Sequence, residues 1–212
     1  MNSRSIIIHR FNRVSDVPAY KLILLPADPL CPPVNCEQLA GELQAIGLIG
    51  EPVALADEVF YPTGDNFLQL ISFLGCSPMI ELDPPADRAT LLAASAAGKF
   101  CHLFLTCTQS LTFRADSQCP PPRCPDCRQP VAEWHTAIET WRGNRAQCDW
   151  TCARCGFTGK LTGLLFRKTA AFGRTFIEIR GIHPSEAVPT DILLERLQRL
   201  VGGPWKTIYL RE

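Results

Sequence analysis

Two Cys-x-x-Cys pairs constrain this chain more than any other feature. They are Cys124-Pro125-Asp126-Cys127 and Cys152-Ala153-Arg154-Cys155, with 24 residues between them and Gly156 after the second. Each pair presents two thiolates from a tight turn, and two such turns together make a closed tetrahedral site for zinc. The spacing lies near the range read as a zinc site from sequence. The expectation is one structural zinc ion on Cys124, Cys127, Cys152 and Cys155. A closed four-thiolate site leaves the metal no open position for a substrate, so the motif points to folding before activity. Two spare thiols lie close by: Cys119 is five residues before Cys124 and Cys148 four before Cys152, and either can replace a member of the set. His135 is a further candidate nitrogen ligand, or else a part-buried neighbour of Trp134.

Eleven cysteines in 212 residues is a high count. A secreted disulfide protein would need a signal peptide, and the apolar run Ile6-Ile7-Ile8 is interrupted at once by His9, Arg10 and Arg13. No run approaches the roughly 18 apolar residues that a membrane helix requires. The expected location is a reducing cytoplasm, where such pairs favour metal binding. Hydrophobic residues at 46% and charged residues at 20% suit a globular protein with a real core.

Charge and punctuation divide the chain. Residues 1–118 carry 7 Lys and Arg against 12 Asp and Glu, whereas residues 119–212 carry 14 against 9. Such asymmetry fits either an anionic partner for the basic half or attraction between the halves. The change falls at Ser117-Gln-Cys-Pro-Pro-Pro-Arg-Cys124, where three consecutive prolines cannot join a helix or a central strand. The expected organisation is an acidic mixed domain over 1–117 and a metal-binding domain over 118–212.

Periodicity supplies the elements, and the expected class is α+β. Ile6–His9 and Lys21–Leu25 read as short strands. Asn35 caps a helix over Cys36–Ile46 that Gly47 stops. Phe67–Leu74 is an apolar run that fits a buried strand or a short helix. Ala86–Ala97 reads as helix, and Phe100–Thr106 and Leu111–Arg114 as a strand pair about a Cys-Thr-Gln-Ser turn. Lys160–Arg167 and Arg174–Arg180 suggest a hairpin about Ala170–Gly173. Thr190 caps a helix over Asp191–Val201, which Gly202-Gly203-Pro204 ends, and Lys206–Leu210 is a closing strand.

Residues 124–167 resemble a zinc ribbon: a Cys-Pro-x-Cys turn, a strand, an insertion, a strand, a Cys-x-x-Cys-Gly turn and a strand. The resemblance covers about a fifth of the chain and implies that backbone amides donate to the thiolate sulfurs. One departure is Arg128, which stands where many such turns carry glycine. As a class, ribbons serve as interaction modules, so the resemblance implies an adaptor or accessory role toward a protein or a nucleic acid. The segment Trp141-Arg142-Gly143-Asn144-Arg145 would be the ribbon tip that meets the partner. Basic residues interleaved with aromatics can hold phosphates while bases stack, although a pI near 6.9 lacks the footprint of a dedicated nucleic-acid binder.

The alternative is an enzyme with a site at the domain interface near Cys76 or His183, the zinc being purely structural. Cys76 would need a neighbouring base to act as a nucleophile, and His183-Pro184-Ser185-Glu186 lies in the loop between a strand and a helix, a common functional position. Glu81 and Asp83 alternate on an extended segment, where paired carboxylates can share a proton or bind metal. Cys101 and His102 are neighbours on a strand and so face opposite ways. A third reading is metal handling, with Cys119 and Cys148 as exchange thiols. Walker, Gly-x-Ser-x-Gly and His-Glu-x-x-His motifs are all missing from the sequence.

Overall fold

A computed structural model describes residues 20–55, 58–74, 80–182 and 186–211. The elements run in chain order β1 (Tyr20–Pro26), α1 (Cys36–Ala45), β2 (Val53–Leu55), β3 (Glu58–Pro62), α2 (Phe67–Leu70), β4 (Ile71–Phe73), α3 (Arg88–Ala96), β5 (His102–Ala115), α4 (Trp134–Gly143), β6 (Asp149–Thr151), β7 (Thr158–Lys160), β8 (Ala170–Ile182), β9 (Ala187–Pro189), α5 (Asp191–Val201) and β10 (Trp205–Arg211). The class is α+β, as expected. Among the described residues no helix is long and apolar enough to cross a membrane. The strand expected at Ile6–His9 lies outside the described residues.

One antiparallel sheet takes six strands in the order β10-β1-β8-β5-β3-β2. Strands from both sides of residue 117 share it, since β8 lies between β1 and β5 and β10 forms one edge. The proline run therefore marks where the chain leaves the sheet. It returns at Ala170, which pairs with Ala115, the residue at which it left. Residues 116–169 are thus an excursion from the end of one long β5–β8 ladder.

Two expected turns are absent, and the chain runs on as strand through both stretches. Cys107–Ser110 lies inside β5, where the pairing shifts register between Cys107 and Thr112 and the hydroxyl of Thr108 donates to Ser110 O at 2.8 Å. Such an irregularity absorbs extra residues without reversing the chain. Ala170–Gly173 lies inside β8, which is paired on both edges. Gly173 meets a packing need there: a Cβ at that position would come within 3.2 Å of the Leu25 and Phe176 side chains. Lys160–Arg167 holds the end of β7 and a single 3-10 turn, Leu161–Gly163, rather than a hairpin strand. The ambiguous run at 67–74 is both structures in succession, α2 followed by β4.

The helix caps follow sequence chemistry. Asn35 Oδ1 accepts from Gln38 N at 3.0 Å at the start of α1. Thr190 caps α5, and Gly202, at φ 71°, ends it in the left-handed conformation. Leu39, Ala40 and Leu43 of α1 and Leu193 and Leu197 of α5 pack with Leu22, Leu24, Leu103, Ile177 and Ile179 on one face of the sheet. Leu91 and Ala94 of α3 pack with Phe60, Phe100 and Phe104, next to the alternate strand positions of the other face. Cys36, the first residue of α1, is joined to Cys107 of β5 by a disulfide with Cα atoms 5.7 Å apart. The pair departs from the expectation of uniformly reduced cysteines; 71 residues separate them, and nothing in their spacing signals it.

On the face opposite Leu22 and Leu24, the sheet buries charge. Lys21 Nζ lies 3.0 Å from a Glu178 carboxylate oxygen, which also receives the guanidinium of Arg180. His102 beside them is fully buried. Its Nδ1 lies 2.9 Å from Phe100 O, which can only accept, so Nδ1 carries the proton. Nε2 then accepts from Ser95 Oγ at 2.9 Å. Burial, helped by the charges of Arg180 and Lys21, pulls the imidazole down to about 4 against the raising effect of the Phe100 carbonyl and the Glu178 carboxylate. Glu178 is held below its ordinary value; burial raises it, and Lys21 and Arg180 together outweigh that.

As pH falls, the unfolded chain protonates this histidine near 6.5 while the folded chain resists down to about 4. Stability should therefore decline by up to roughly 3 kcal/mol across that window. Below it, the contribution of Glu178 is lost in turn as pH falls through its depressed folded value. Urea midpoints at pH 7 and pH 4.5 test this, and His102→Gln should flatten the dependence while lowering stability at both pH values.

Candidate metal centre

The excursion 116–169 builds two matching turns. In the first, Arg128 N donates to Cys124 O at 3.0 Å and Cys124 N to Gln129 O at 2.9 Å. In the second, Gly156 N donates to Cys152 O at 2.9 Å and Cys152 N to Phe157 O at 2.8 Å. Arg128 and Gly156 occupy equivalent places, with φ of 61° and 75°. Arg128 thus takes up the left-handed backbone that glycine adopts without cost.

The turns face one another. Cys124 Sγ lies 3.8 Å from Cys155 Sγ, and Cys127 Sγ lies 3.8 Å from Cys152 Sγ. All four sulfurs fall within 4.8 Å of one another. Sulfurs about 2.3 Å from a central ion at the corners of a tetrahedron stand about 3.8 Å apart, so the cluster has the dimensions of a tetrahedral thiolate cage. Among the described residues this is the one group of His, Cys, Asp or Glu side chains arranged to hold a metal ion. Cys124 and Cys152 are buried, Cys127 is half-buried and Cys155 is exposed.

The electrostatics ask for a cation. Backbone N–H groups of Cys155 and Arg154 donate to the Cys152 sulfur and bring its thiol down to about 7. Cys155 receives the Phe157 N–H, yet burial and the crowding of the Cys127, Cys152 and Cys124 sulfurs push it up to about 12. One thiol is activated and its neighbour is suppressed, as expected of like charges forced together, and a bound cation lets all four ionise.

A small core supports the cage. α4 was not expected: it replaces the extended segment and the ribbon tip, because Trp134, Ile138 and Trp141 recur on one helical face and bury it. They join Phe113, Trp150, Leu161, Leu164 and Phe172, so the excursion packs onto the far end of β5 and β8. Arg123 and Leu165 exchange backbone hydrogen bonds of 3.0 and 2.9 Å and close the base of the first turn.

The remaining candidates are dispersed. Cys119 Sγ lies 3.5 Å from Thr169 Oγ1, and neither Cys119 nor Cys148 belongs to the group of four. The exposed ring of His135 lies against Trp134, with centroids 3.6 Å apart. Glu81 and Asp83 are exposed, and Asp83 N donates to the Glu81 carboxylate. Cys101 packs in the core on the face opposite His102. Cys76, His183 and Ser185 lie outside the described residues. At the expected partner surface, Trp141 is only 3% exposed, whereas Arg142 and Arg145 are exposed. Arg142 pairs with Glu139, and Arg145 lies 3.9 Å over the Trp141 ring. The Ser95–His102 pair went unnoticed in the sequence, where the helical period of α3 hides that Ser95 points inward.

Comparison with protein-family models, with curated proteins and with solved structures returns no match.

Two substitutions test the turn geometry. Arg128→Gly removes left-handed strain and should raise stability by about 0.5–1 kcal/mol after the entropy cost of glycine. Gly156→Ala meets no atom within 4 Å, so its cost is the backbone alone. It should lower stability by about 1–2 kcal/mol. Thermal unfolding of the metal-loaded variants measures both.

Proposed function

We propose that this chain is a zinc-binding accessory protein whose metal-held unit presents a surface to another macromolecule, a protein ahead of a nucleic acid. The observation that carries the reading is the closed set of four sulfurs. Four thiolates fill a tetrahedral metal, leave no position for a substrate and make the ion a structural one. Tetrahedral sulfur suits zinc or iron; zinc is favoured because its full shell needs no redox partner. The ion would hold together a unit whose own core is small, and its binding would contribute on the order of 10 kcal/mol to ordering that unit.

The exposed cations Arg142, Arg145, Arg154, Arg167 and Lys168 support a binding role for this half of the chain. The aromatics weigh against base stacking as the mode of recognition. Trp134 and Trp141 are 3% exposed and Trp150 is 8% exposed, so their faces are spent on packing. A protein partner with an acidic surface needs only the cations.

Native mass spectrometry of gently purified protein tests the metal and the partner together. One zinc per chain is expected, with metal lost in Cys127→Ser and Cys152→Ser. An iron-type visible absorbance or a metal-free reduced protein would remove the basis of the reading. A partner that co-purifies with the native chain should be lost in Arg142→Glu/Arg145→Glu, while zinc content stays at one. Retention of the partner by that variant would move the interface elsewhere.

A further inference from the structure

A cavity of about 370 Å³ opens where the excursion meets the sheet. Its walls come from the irregular stretch of β5 at Gln109–Leu111, the end of α4, the 3-10 turn after β7, and β8. The size is within the range of small-molecule sites. Trp141 and Phe172 contribute aromatic carbon to the wall, in edge-to-face contact with centroids 5.2 Å apart. Three cations line the cavity, Arg145, Lys160 and Arg174, and no carboxylate among the described residues does.

Two of those cations are fixed in place by neutral partners. Arg174 donates through Nε to Gln109 O at 3.0 Å and through Nη1 to Leu30 O at 3.1 Å and Cys31 O at 3.4 Å. Arg145 donates to Leu111 O at 3.0 Å while its guanidinium stacks on Trp141. Neither forms an ion pair with a carboxylate among the described residues, so each keeps its charge uncompensated in a fixed position. Carbonyl tethers of this kind preorganise a cation for a ligand without neutralising it. Lys160 is partnered by Asp149 at 2.8 Å and adds a mobile third charge.

We propose that this cavity binds a small organic anion: a carboxylate or phosphate head on a flat apolar body. The head would lie between the guanidinium groups of Arg174 and Arg145. The body would lie against Leu30 and Leu111, the wall leucines that the packing leaves open, in a space that a hydrated inorganic anion leaves unfilled. This site is separate from the four-cysteine cage; it shares Arg145 with the partner surface proposed above, and the test therefore turns on Arg174, Lys160 and Cys148.

The test uses two probes with the same body, 1-naphthoate and the uncharged 1-naphthalenemethanol, titrated calorimetrically into the intact metal-loaded protein. Naphthoate should bind about tenfold or more tightly than the alcohol. Cys148, which lines the cavity, locates the site: bound naphthoate should slow its alkylation by iodoacetamide, read by peptide mass spectrometry, and leave Cys119 unaffected. Arg174→Gln should cost naphthoate about tenfold and leave the alcohol unchanged. Should that variant unfold because its tethers to Leu30 and Cys31 are lost, Lys160→Gln and the Cys148 protection of the native protein still decide the matter. Equal affinity for the two probes, binding of neither, or naphthoate binding without protection of Cys148 overturns the proposal.

Discussion

The antiparallel ladder between β5 and β8 is the interaction on which the rest of this protein depends. It runs from the His102–Arg180 pair, deep in the sheet, to the Ala115–Ala170 pair at its far end. One end carries the main core, with α1 and α5 on one face, and the buried polar cluster lies beside it. The other end carries Phe113 and Phe172, onto which α4 and the two cysteine turns pack. The four sulfurs therefore act as a clip on a long loop between two strands that are already adjacent. Holding such a loop closed costs chain entropy that grows only slowly with its length. A metal ion held by the four sulfurs would add to the aromatic contacts that offset it.

How much of this could be read in the sequence depends on whether the signal was local. The cysteine turns, the Asn35 and Thr190 caps and the stop at Gly202 each rest on residues a few positions apart, and each stands where its chemistry places it. In the sequence, residues that usually mark turns split β5 at Thr108-Gln109-Ser110 and take Ala170–Gly173 from the start of β8. Gly173 pairs with Thr112, more than 60 residues away in sequence, and Thr108–Ser110 is an irregular stretch between paired residues on either side, pairings that local composition does not record. α4 had a legible signal in Trp134, Ile138 and Trp141, spaced by four and three, but the ribbon pattern assigned that stretch to strand and loop. At the cage, all four ligand positions were evident, whereas the cavity is assembled from four separate elements.

The uneven charge of the chain also takes on a different meaning in three dimensions. Because β8 and β10 interleave with β1 and β5, the acidic and basic portions do not face one another as two bodies. The most buried ion pair, Lys21 with Glu178, runs against the trend, with its cation from the acidic portion and its anion from the basic one. The cations in excess gather instead on the excursion and beside the β5 irregularity, where few carboxylates answer them. In the sheet the buried carboxylate of Glu178 answers both Lys21 and Arg180, whereas on the excursion Arg142 and Lys160 pair with Glu139 and Asp149 and Arg145 faces no carboxylate among the described residues.

The strand order has a consequence for how the chain is made. β1 is made before both strands that flank it, and it carries Leu22, Ile23, Leu24 and Leu25, all fully buried in the finished protein. Its two neighbours are β8 and β10, so its partners emerge only after the whole excursion 116–169. The four-cysteine unit has a different schedule, since its cysteines and most of its small core are present before β8 is complete. Local contacts form sooner than distant ones. Over that interval β1 waits for both of its edges, and the demand for chaperone protection falls on that apolar strand rather than on the cysteine turns.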